Sequence, residues 1–323
     1  MSRLSRVGLA AILLVGISLC ARSVHAQALQ PFPLISTSSA LPDLPVQVSP
    51  LARRPLAQCT DSTLQARLDH ALMRPRWSPL IAHGRMAVGI VDLSDPGRPR
   101  YAAVNGDSMM YAASLPKIGI LYAATRQLHD GRLTASPALE RDLHAMIRVS
   151  SNAAATRTID RVGGLQAVNQ TLTDAAVAFY DPQRDGGLWV GKRFASDGRR
   201  QPDPINGLSH AATVHQVARF YTLLATGRLI SRARSAQMLD VLANPGIDHK
   251  FVHALRRRAP NVAVYRKSGS WRHWHADSAL VWGPRRRYVV VALVADARGE
   301  QILRALVPAV ERALGVSTVG TGS

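Results

Sequence analysis

The spacing of hydrophobic positions predicts a chain in which two blocks of strands enclose a block of helices. Leucines recur every four residues from Leu64 to Leu72, which is typical of a helix with one buried face. Residues 85–93 and 100–104 are rich in β-branched and aliphatic residues. The sequence Ser-Asp-Pro-Gly between them is typical of a turn, so the two runs predict a β-hairpin.

The middle of the chain has mainly helical periodicity. Helices are predicted over 114–129, 139–149, 153–161, 165–172, 212–225 and 235–242. The first of these is apolar almost all round, which indicates a buried helix. Residues 180–209 show no clear period, and a loop of this length within a compact domain is usually functional or disordered.

Strands return near the C-terminus. Three β runs are predicted at 262–268, 275–282 and 288–295, followed by a helix over 300–314. The early hairpin must pair with these distant strands. We therefore predict an α+β fold in which a five-stranded antiparallel sheet is flanked by helices and interrupted by an inserted all-helical subdomain, with a cleft between the two parts.

The first 26 residues are typical of a secretory signal peptide. Arg3 and Arg6 precede an apolar run over 7–19 that is too short to span a bilayer, and Ala26 ends an acceptable cleavage site. A lipoprotein modified at Cys20 is disfavoured because the residue before it is a bulky leucine. We expect a secreted or periplasmic protein without a stable membrane anchor.

Composition divides the remaining chain. The high proline content of residues 27–57 predicts a tether. We expect residues 58–315 to form a catalytic domain and residues 316–323 to be a disordered tail. Cleavage of the signal would leave Cys59 as the single cysteine, so no intramolecular disulfide is expected.

The formal net charge is +19. Such a charge favours attraction to anionic polymers. The arginine runs at 256–258 and 285–287 nevertheless fall at predicted turns and lack interleaved aromatic residues, so we expect no nucleic-acid partner.

Three short motifs carry the candidate chemistry. Ser114-Leu115-Pro116-Lys117 opens the buried helix, Ser150-Ser151-Asn152 follows, and Lys267-Ser268-Gly269 lies on a predicted strand. The chain holds only four lysines against 36 arginines. Because a buried lysine can lose its proton and an arginine effectively cannot, lysine in two motifs indicates chemistry that needs a neutral amine.

The order S-x-x-K, S-x-N, K-[ST]-G resembles that of the serine β-lactamases and penicillin-binding transpeptidases, closest to class A β-lactamases. The resemblance runs from about residue 60 to 315 and includes Gly163-Gly164 and the helix end at 224–227. It implies the β-lactamase/transpeptidase-like fold and a serine hydrolase that opens β-lactam rings through an acyl-enzyme. It also implies a β-lactam or peptidoglycan-type small substrate.

The resemblance assigns a role to each residue of the acylation step. Ser114 would be the nucleophile and Lys117, three residues on, its general base. Ser150 would pass a proton to the leaving nitrogen. We expect burial and the repulsion of the Lys267 amine together to bring the pKa of Lys117 close to neutral.

Other residues would hold the substrate. Asn152 would contact Lys117 and a substrate amide, while Lys267 and Ser268 would bind the substrate carboxylate. Gly269 would keep the strand edge open, and the backbone N–H groups of Ser114 and Ser270 would form the oxyanion hole.

The chain departs from class A in three respects. The interval from Ser114 to Ser150 is shorter than expected, and Ser151 stands where class A usually has an aspartate. No glutamate occurs between Glu140 and Glu300, so the loop that supplies the deacylating glutamate in class A cannot supply one here. Asp181 and Asp185 are the possible substitutes, and we expect slow deacylation.

Two other functions stay open. A D,D-peptidase or transpeptidase acting on peptidoglycan stem peptides shares all three motifs, and a non-catalytic basic protein that binds the cell wall is the other alternative.

His273, His275 and Asp277 alternate along one predicted strand but lack a further convincing ligand. We therefore expect no metal site and no cofactor. We also expect a monomeric protein.

Overall fold

The computed structural model describes residues 44–49, 54–183, 185–196 and 198–316. The predicted signal peptide over 1–26 and most of the predicted tether lie outside these residues, as do residues 317–323. None of the helices in the described part has the length and apolar character that a membrane span requires.

The described elements follow one another in the predicted order. They are α1 Ser62–Leu72, α2 Ser78–Ala82, β1 Met86–Asp92, β2 Arg100–Val104, β3 Met110–Tyr111, α3 Lys117–His129, α4 Pro137–Arg148, α5 Asn152–Val162, α6 Gly164–Thr173, β4 Tyr180–Asp181, β5 Gly186–Gly187, β6 Trp189–Val190, β7 His210–Ala212, α7 Val214–Ala225, α8 Arg232–Leu242, α9 Lys250–Arg258, β8 Ala263–Trp271, β9 Trp274–Gly283, β10 Arg286–Ala295 and α10 Gly299–Ala313.

The five-stranded antiparallel sheet is confirmed. Its strand order is β2-β1-β10-β9-β8, so the N-terminal hairpin joins the C-terminal strands through the pairing of β1 with β10, for example Met86 with Val294. Strand β10 is central and is buried from Tyr288 to Ala295. The continuous apolar run of this strand reflects burial on both faces.

Helices cover both faces of the sheet. On one face, α1 and α10 bury Leu64, Leu68 and Leu306 against Val290 of β10. On the other face, α7 packs against β1, β9 and β10. The hydroxyl of Tyr221 on α7 lies 3.1 Å from the Ser278 hydroxyl of β9. The inserted helices α3 to α6 join this second face, and the motif residues lie where they meet the sheet.

Helix α3 is the buried helix that the sequence predicts, but it begins later. All residues from Lys117 to Leu128 except Arg126 are buried. The predicted start at Ser114 was wrong, because residues 114–116 form turns and Pro116 caps the helix. A proline disfavours helical backbone at the residue before it, which keeps Leu115 out of the helix.

Helix α9 was missed by the sequence analysis. The run Arg256–Arg258 does not lie in a turn, as predicted, but forms the last turn of this helix. Positive charge at a helix C-terminus is favourable because of the helix dipole. Arg258 also donates to the buried carboxylate of Glu311 at 3.0 Å, which ties α9 to α10.

The loop over 180–209 contains the short strands β4 to β6. Asn169 of α6 holds it by donating to the Val190 carbonyl at 2.9 Å and accepting from the Val190 N–H at 3.1 Å. The carboxylate of Asp203 is buried and accepts the N–H groups of Ile205 and Asn206 at 3.0 and 2.9 Å. Local hydrogen bonds thus order a segment without a hydrophobic period.

Part of the predicted tether lies against the domain. The Val46 N–H donates to the Ala225 carbonyl at 2.8 Å at the end of α7, and Val48 is buried.

Candidate active site

Ser114 lies in the turn between β3 and α3, at the edge of a cleft. The residue before it, Ala113, has a φ of +50°. Residues other than glycine rarely adopt this left-handed conformation. Strand β8 passes close to this turn at Gly269, where a Cβ would lie 2.7 Å from the Ser114 nitrogen. Gly269 therefore lets β8 approach the Ser114 turn closely. This reason differs from the open strand edge that the resemblance implied.

Lys117 is fully buried directly after that turn. Its Nζ donates to the Ser150 carbonyl at 2.7 Å and to Oδ1 of Asn152 at 2.8 Å. The ring of Phe194 covers the amine, with its centroid 4.5 Å from Nζ. The first and second motifs are therefore joined by direct hydrogen bonds.

The Ser150 hydroxyl lies between the amines of two lysines. Its Oγ is 3.0 Å from Nζ of Lys267 and 3.4 Å from Nζ of Lys117. Ser150 itself has a φ of +58°, which is strained for a residue with a side chain and indicates that the surrounding contacts fix it. This arrangement suits a hydroxyl that passes protons between the two amines and a substrate atom.

Ser151 has a structural role that accounts for its place in the second motif. Its side chain accepts a hydrogen bond from the Ala154 N–H at 3.2 Å and caps helix α5. Serine and aspartate are both strong N-cap residues, so the departure from the class A pattern at this position preserves the cap.

Burial is the largest cause of a lowered pKa at both motif lysines, Lys117 and Lys267. Burial lowers the pKa of Lys117 from 10.5 to about 7. The pKa of Lys267 is also lowered, first by burial and then by the charge of Lys117. The expected lowering at Lys117 thus comes from burial, while the repulsion between the amines acts on Lys267. A base that titrates near neutral pH suits proton abstraction from a serine.

We predict that acylation becomes faster as the pH rises through about 7, because Lys117 accepts a proton only in its neutral form. Labelling rates with a fluorescent penicillin, measured at a series of pH values on the intact protein, check this. Rates that stay level or decrease across that range would contradict Lys117 as the base.

A third lysine supports the strand of the third motif and was missed by the sequence analysis. Lys250 is fully buried at the start of α9, and its Nζ donates to the Gly269 carbonyl at 2.5 Å and to Ser270 Oγ at 2.7 Å. Beside it, Nε2 of His249 lies 3.2 Å from Oγ of Ser268. The scarcity of lysine in the sequence was the available signal for Lys250.

Burial lowers the pKa of both Lys250 and His249, and only His249 becomes neutral at pH 7 as a result. Burial lowers the pKa of Lys250 to about 8 and that of His249 to about 4. The His249 imidazole is thus neutral at pH 7. Depending on the tautomer, its Nε2 accepts a hydrogen bond from the Ser268 hydroxyl or donates one to it.

Asp277, one of the residues considered for a metal, is engaged elsewhere. Its carboxylate is fully buried, pairs with Arg266 at 2.6 and 3.0 Å, and accepts the Phe251 N–H at 3.0 Å. It therefore balances a buried guanidinium and holds the first turn of α9. Among the residues that the structure describes, no group of three or more His, Cys, Asp or Glu is arranged to hold a metal ion.

A cleft of about 600 Å³ opens beside Ser114. Aromatic side chains of Tyr111, Phe194, Trp271 and Trp274 form much of its wall. Asn152, Ser270 and three cationic residues of the loop after β6 also line it: Lys192, Arg193 and Arg200. All four lysines of the chain are thus in this region. Lys117 and Lys267 belong to the motifs, Lys250 contacts the third motif, and Lys192 lines the cleft.

The structure does not bring the two candidate deacylation bases to Ser114. Asp181 lies in β4 and accepts the Gln183 N–H at 2.9 Å. Asp185 is exposed in the following turn. Neither lines the cleft, whose wall here is formed by the buried ring of His210, stacked on Phe194 with centroids 4.3 Å apart.

The chain belongs to the beta-lactamase enzyme family, whose model matches residues 136–314. This range contains the second and third motifs, and the Ser114 motif precedes it. No curated protein sequence matches the chain.

Solved structures show the same fold. A beta-lactamase from Sphaerobacter thermophilus is 21% identical with a TM-score of 0.60, covering 80% of this chain and 99% of the other. PBP-A is 19% identical with a TM-score of 0.57, covering 85% and 99%. A beta-lactamase from Chitinophaga pinensis is 15% identical with a TM-score of 0.54, covering 79% and 98%.

Proposed function

We propose that this chain is a serine hydrolase that opens β-lactam rings through an acyl-enzyme on Ser114. The observation that carries the proposal is the hydrogen-bonded series Lys117–Ser150–Lys267 next to the Ser114 turn. A PBP-A variant, whose fold this chain shares, has been solved as an acyl-enzyme complex with penicillin G, which supports the choice of substrate.

We propose the following reaction. Ser114 Oγ attacks the lactam carbonyl and transfers its proton to neutral Lys117. The backbone N–H groups of Ser114 and Ser270 stabilise the oxyanion. The C–N bond breaks, and Ser150 donates a proton to the leaving nitrogen and is reprotonated from the amines that flank it. A water then releases the acid and regenerates Ser114.

The substrate carboxylate is proposed to bind at Lys267 and Ser268. A bound carboxylate would favour the charged form of Lys267 and so offset the cost of burying that ammonium. His249 orients the Ser268 hydroxyl from behind, and Lys250 fixes the strand by holding the Gly269 carbonyl. The strand that presents the substrate site is thus held from α9.

We predict that hydrolysis of the acyl-enzyme limits turnover. The chain has no glutamate between Glu140 and Glu300, and Asp181 and Asp185 do not line the cleft. A chromogenic cephalosporin should give a burst equal to the enzyme concentration, followed by a rate at least about a hundredfold slower, on the usual scale of a missing general base.

The variants Asp181→Asn and Asp185→Asn should leave both phases unchanged. A linear time course without a burst would overturn the prediction, and loss of turnover in one of the two variants would identify that aspartate as the base.

A D,D-peptidase acting on peptidoglycan stem peptides is the second candidate. The missing glutamate favours it, because a long-lived acyl-enzyme suits transfer to another acceptor more than rapid hydrolysis. Release of D-alanine from a stem peptide, compared with steady β-lactam turnover, separates the two. A protein that forms no acyl-enzyme with either substrate would instead support the cell-wall-binding alternative.

We also propose that the protein is exported, acts in the periplasm or outside the cell, and functions as a monomer. The support for export is the sequence of residues 1–26, and Gln27 as the N-terminus of the mature protein is its direct check.

A further inference from the structure

We propose that the cleft beside Ser114 selects substrates whose acyl group carries a carboxylate of its own, in addition to the carboxylate bound at Lys267 and Ser268. The inference rests on the proposed function and names its substrate class: dianionic acyl donors, whether a β-lactam with an acidic side chain or a stem peptide with a free side-chain carboxylate.

The position of the cleft relative to the motifs decides which part of the substrate enters it. Ser114, Asn152 and Ser270 line the cleft, whereas Lys267 and Ser268 do not. A substrate with its carboxylate at Lys267 and its carbonyl at Ser114 therefore extends its acyl group into the cleft. Groups on the cleft wall act on the acyl part and not on the leaving group.

Two cations in this wall have no carboxylate partner among the residues that the structure describes. Lys192 Nζ donates to the Ser196 carbonyl at 3.5 Å, and Arg200 is exposed. Arg193, between them in sequence, is different because its guanidinium donates to Asp160 at 2.6 Å. No aspartate or glutamate is among the described residues that line the cleft.

The loop that carries these cations is fixed at its base. The Gln201 N–H donates to the Gly191 carbonyl at 2.7 Å, and the Trp189 indole donates to the Gln201 carbonyl at 2.8 Å. A Cβ on Gly191 would lie 2.6 Å from the Gln201 carbonyl oxygen, so a glycine is needed for this closure. Lys192 and Arg200 thus stand at the two ends of a closed loop.

The fields of both cations reach the cleft wall. Burial is the main cause that lowers the pKa of His210 to about 4, and the charges of Lys117, Lys192 and Arg200 lower it further. His210 is therefore neutral at pH 7 and adds no charge of its own. Two cations near one wall of a cleft whose described lining holds no acidic side chain favour a subsite for an anion.

Carbenicillin and benzylpenicillin test the inference, because they differ by one carboxylate on the acyl group. The measured quantity is the ratio of their second-order acylation rate constants, obtained by intact mass after mixing. We expect the double variant Lys192→Ala, Arg200→Ala to reduce the carbenicillin-to-benzylpenicillin ratio about tenfold, which corresponds to two partly exposed ion pairs.

Each single variant, Lys192→Ala and Arg200→Ala, should also lower the ratio, and Arg199→Ala is their matched control. It removes one positive charge from the same loop, but Arg199 does not line the cleft. Its ratio should equal that of the wild type. An equal decrease with Arg199→Ala would show general attraction by the positive surface and overturn the subsite. Stem peptides with a free or an amidated side-chain carboxylate, compared in the same way, show whether the preference extends to peptides.

The two proposals fail differently. If both penicillins acylate the wild type and the ratio is the same in the double variant, the anion subsite is wrong and the acyl-enzyme proposal stands. If neither penicillin forms an adduct and stem peptides are not cleaved, the proposed function is wrong, and the inference is overturned with it.

Discussion

The Ser114→Ala variant is expected to lose all labelling by a fluorescent penicillin while keeping its fold. The substitution removes only the hydroxyl group, and Ser114 is half-buried in a turn rather than packed in the core. Removing the nucleophile of a serine hydrolase eliminates the covalent intermediate itself. Gel fluorescence after labelling measures the loss, and thermal unfolding checks the fold.

Ser209→Ala is the control for this variant. Ser209 also lines the cleft, so its replacement removes another hydroxyl from the same wall. It should label at close to the rate of the wild type. Labelling that persists in Ser114→Ala would show that another residue is the nucleophile.

The Lys117→Arg variant is expected to acylate at least about a hundredfold more slowly, on the scale of general-base catalysis. Arginine keeps the positive charge but cannot give up its proton near neutral pH. The hydrogen-bond acceptors at Ser150 and Asn152 stay available to a guanidinium, so the change acts mainly on proton transfer.

Lys192→Arg makes the same substitution in the cleft wall, where only charge is required, and should change acylation little. Since the larger guanidinium could disturb the buried position of Lys117, the pH profile provides a second readout. Wild type should show a rate that depends on pH near 7 and Lys117→Arg should not. A normal rate in Lys117→Arg would show that another group activates Ser114.

Local pattern was enough to predict the sheet and the buried helix. The apolar run from Ile118 to Ala124 has no polar face, and such a helix must lie inside the fold. The single five-stranded sheet followed from the need of the N-terminal hairpin to pair with the distant C-terminal strands. Both predictions depend on period and segment order, which a single sequence contains.

Helix α9 could not be predicted from the sequence, because contacts with residues distant in the chain stabilise it. Helix α9 ends in three consecutive arginines and appears polar, yet Lys250 at its start is buried because Gly269 and Ala276 of neighbouring strands offer carbonyl acceptors. Helix α9 is also held by Asp277 through the Phe251 N–H. Those partners are distant in sequence, so no local period indicates them.

In the candidate site, too, the sequence predicted some residues and tertiary contacts determined the position of others. The three motifs named Ser114, Lys117, Ser150, Asn152 and Lys267. Ser114 and Asn152 line the cleft, and hydrogen bonds link Lys117, Ser150 and Lys267. Asp181 and Asp185 were chosen only for their position in a long loop, and a loop without a period does not indicate where its side chains point. The Ser150 hydroxyl between two amines likewise depends on β8 and α5 meeting in space.

Peptide mass mapping of the protein trapped with penicillin G tests the central claim most directly. Wild type is mixed with the antibiotic, quenched in acid, digested and searched for the penicilloyl adduct. The proposed mechanism predicts one adduct, on the peptide that contains Ser114, and none in the Ser114→Ala variant. An adduct on another residue, or an unmodified wild type after prolonged exposure to penicillin, would contradict it.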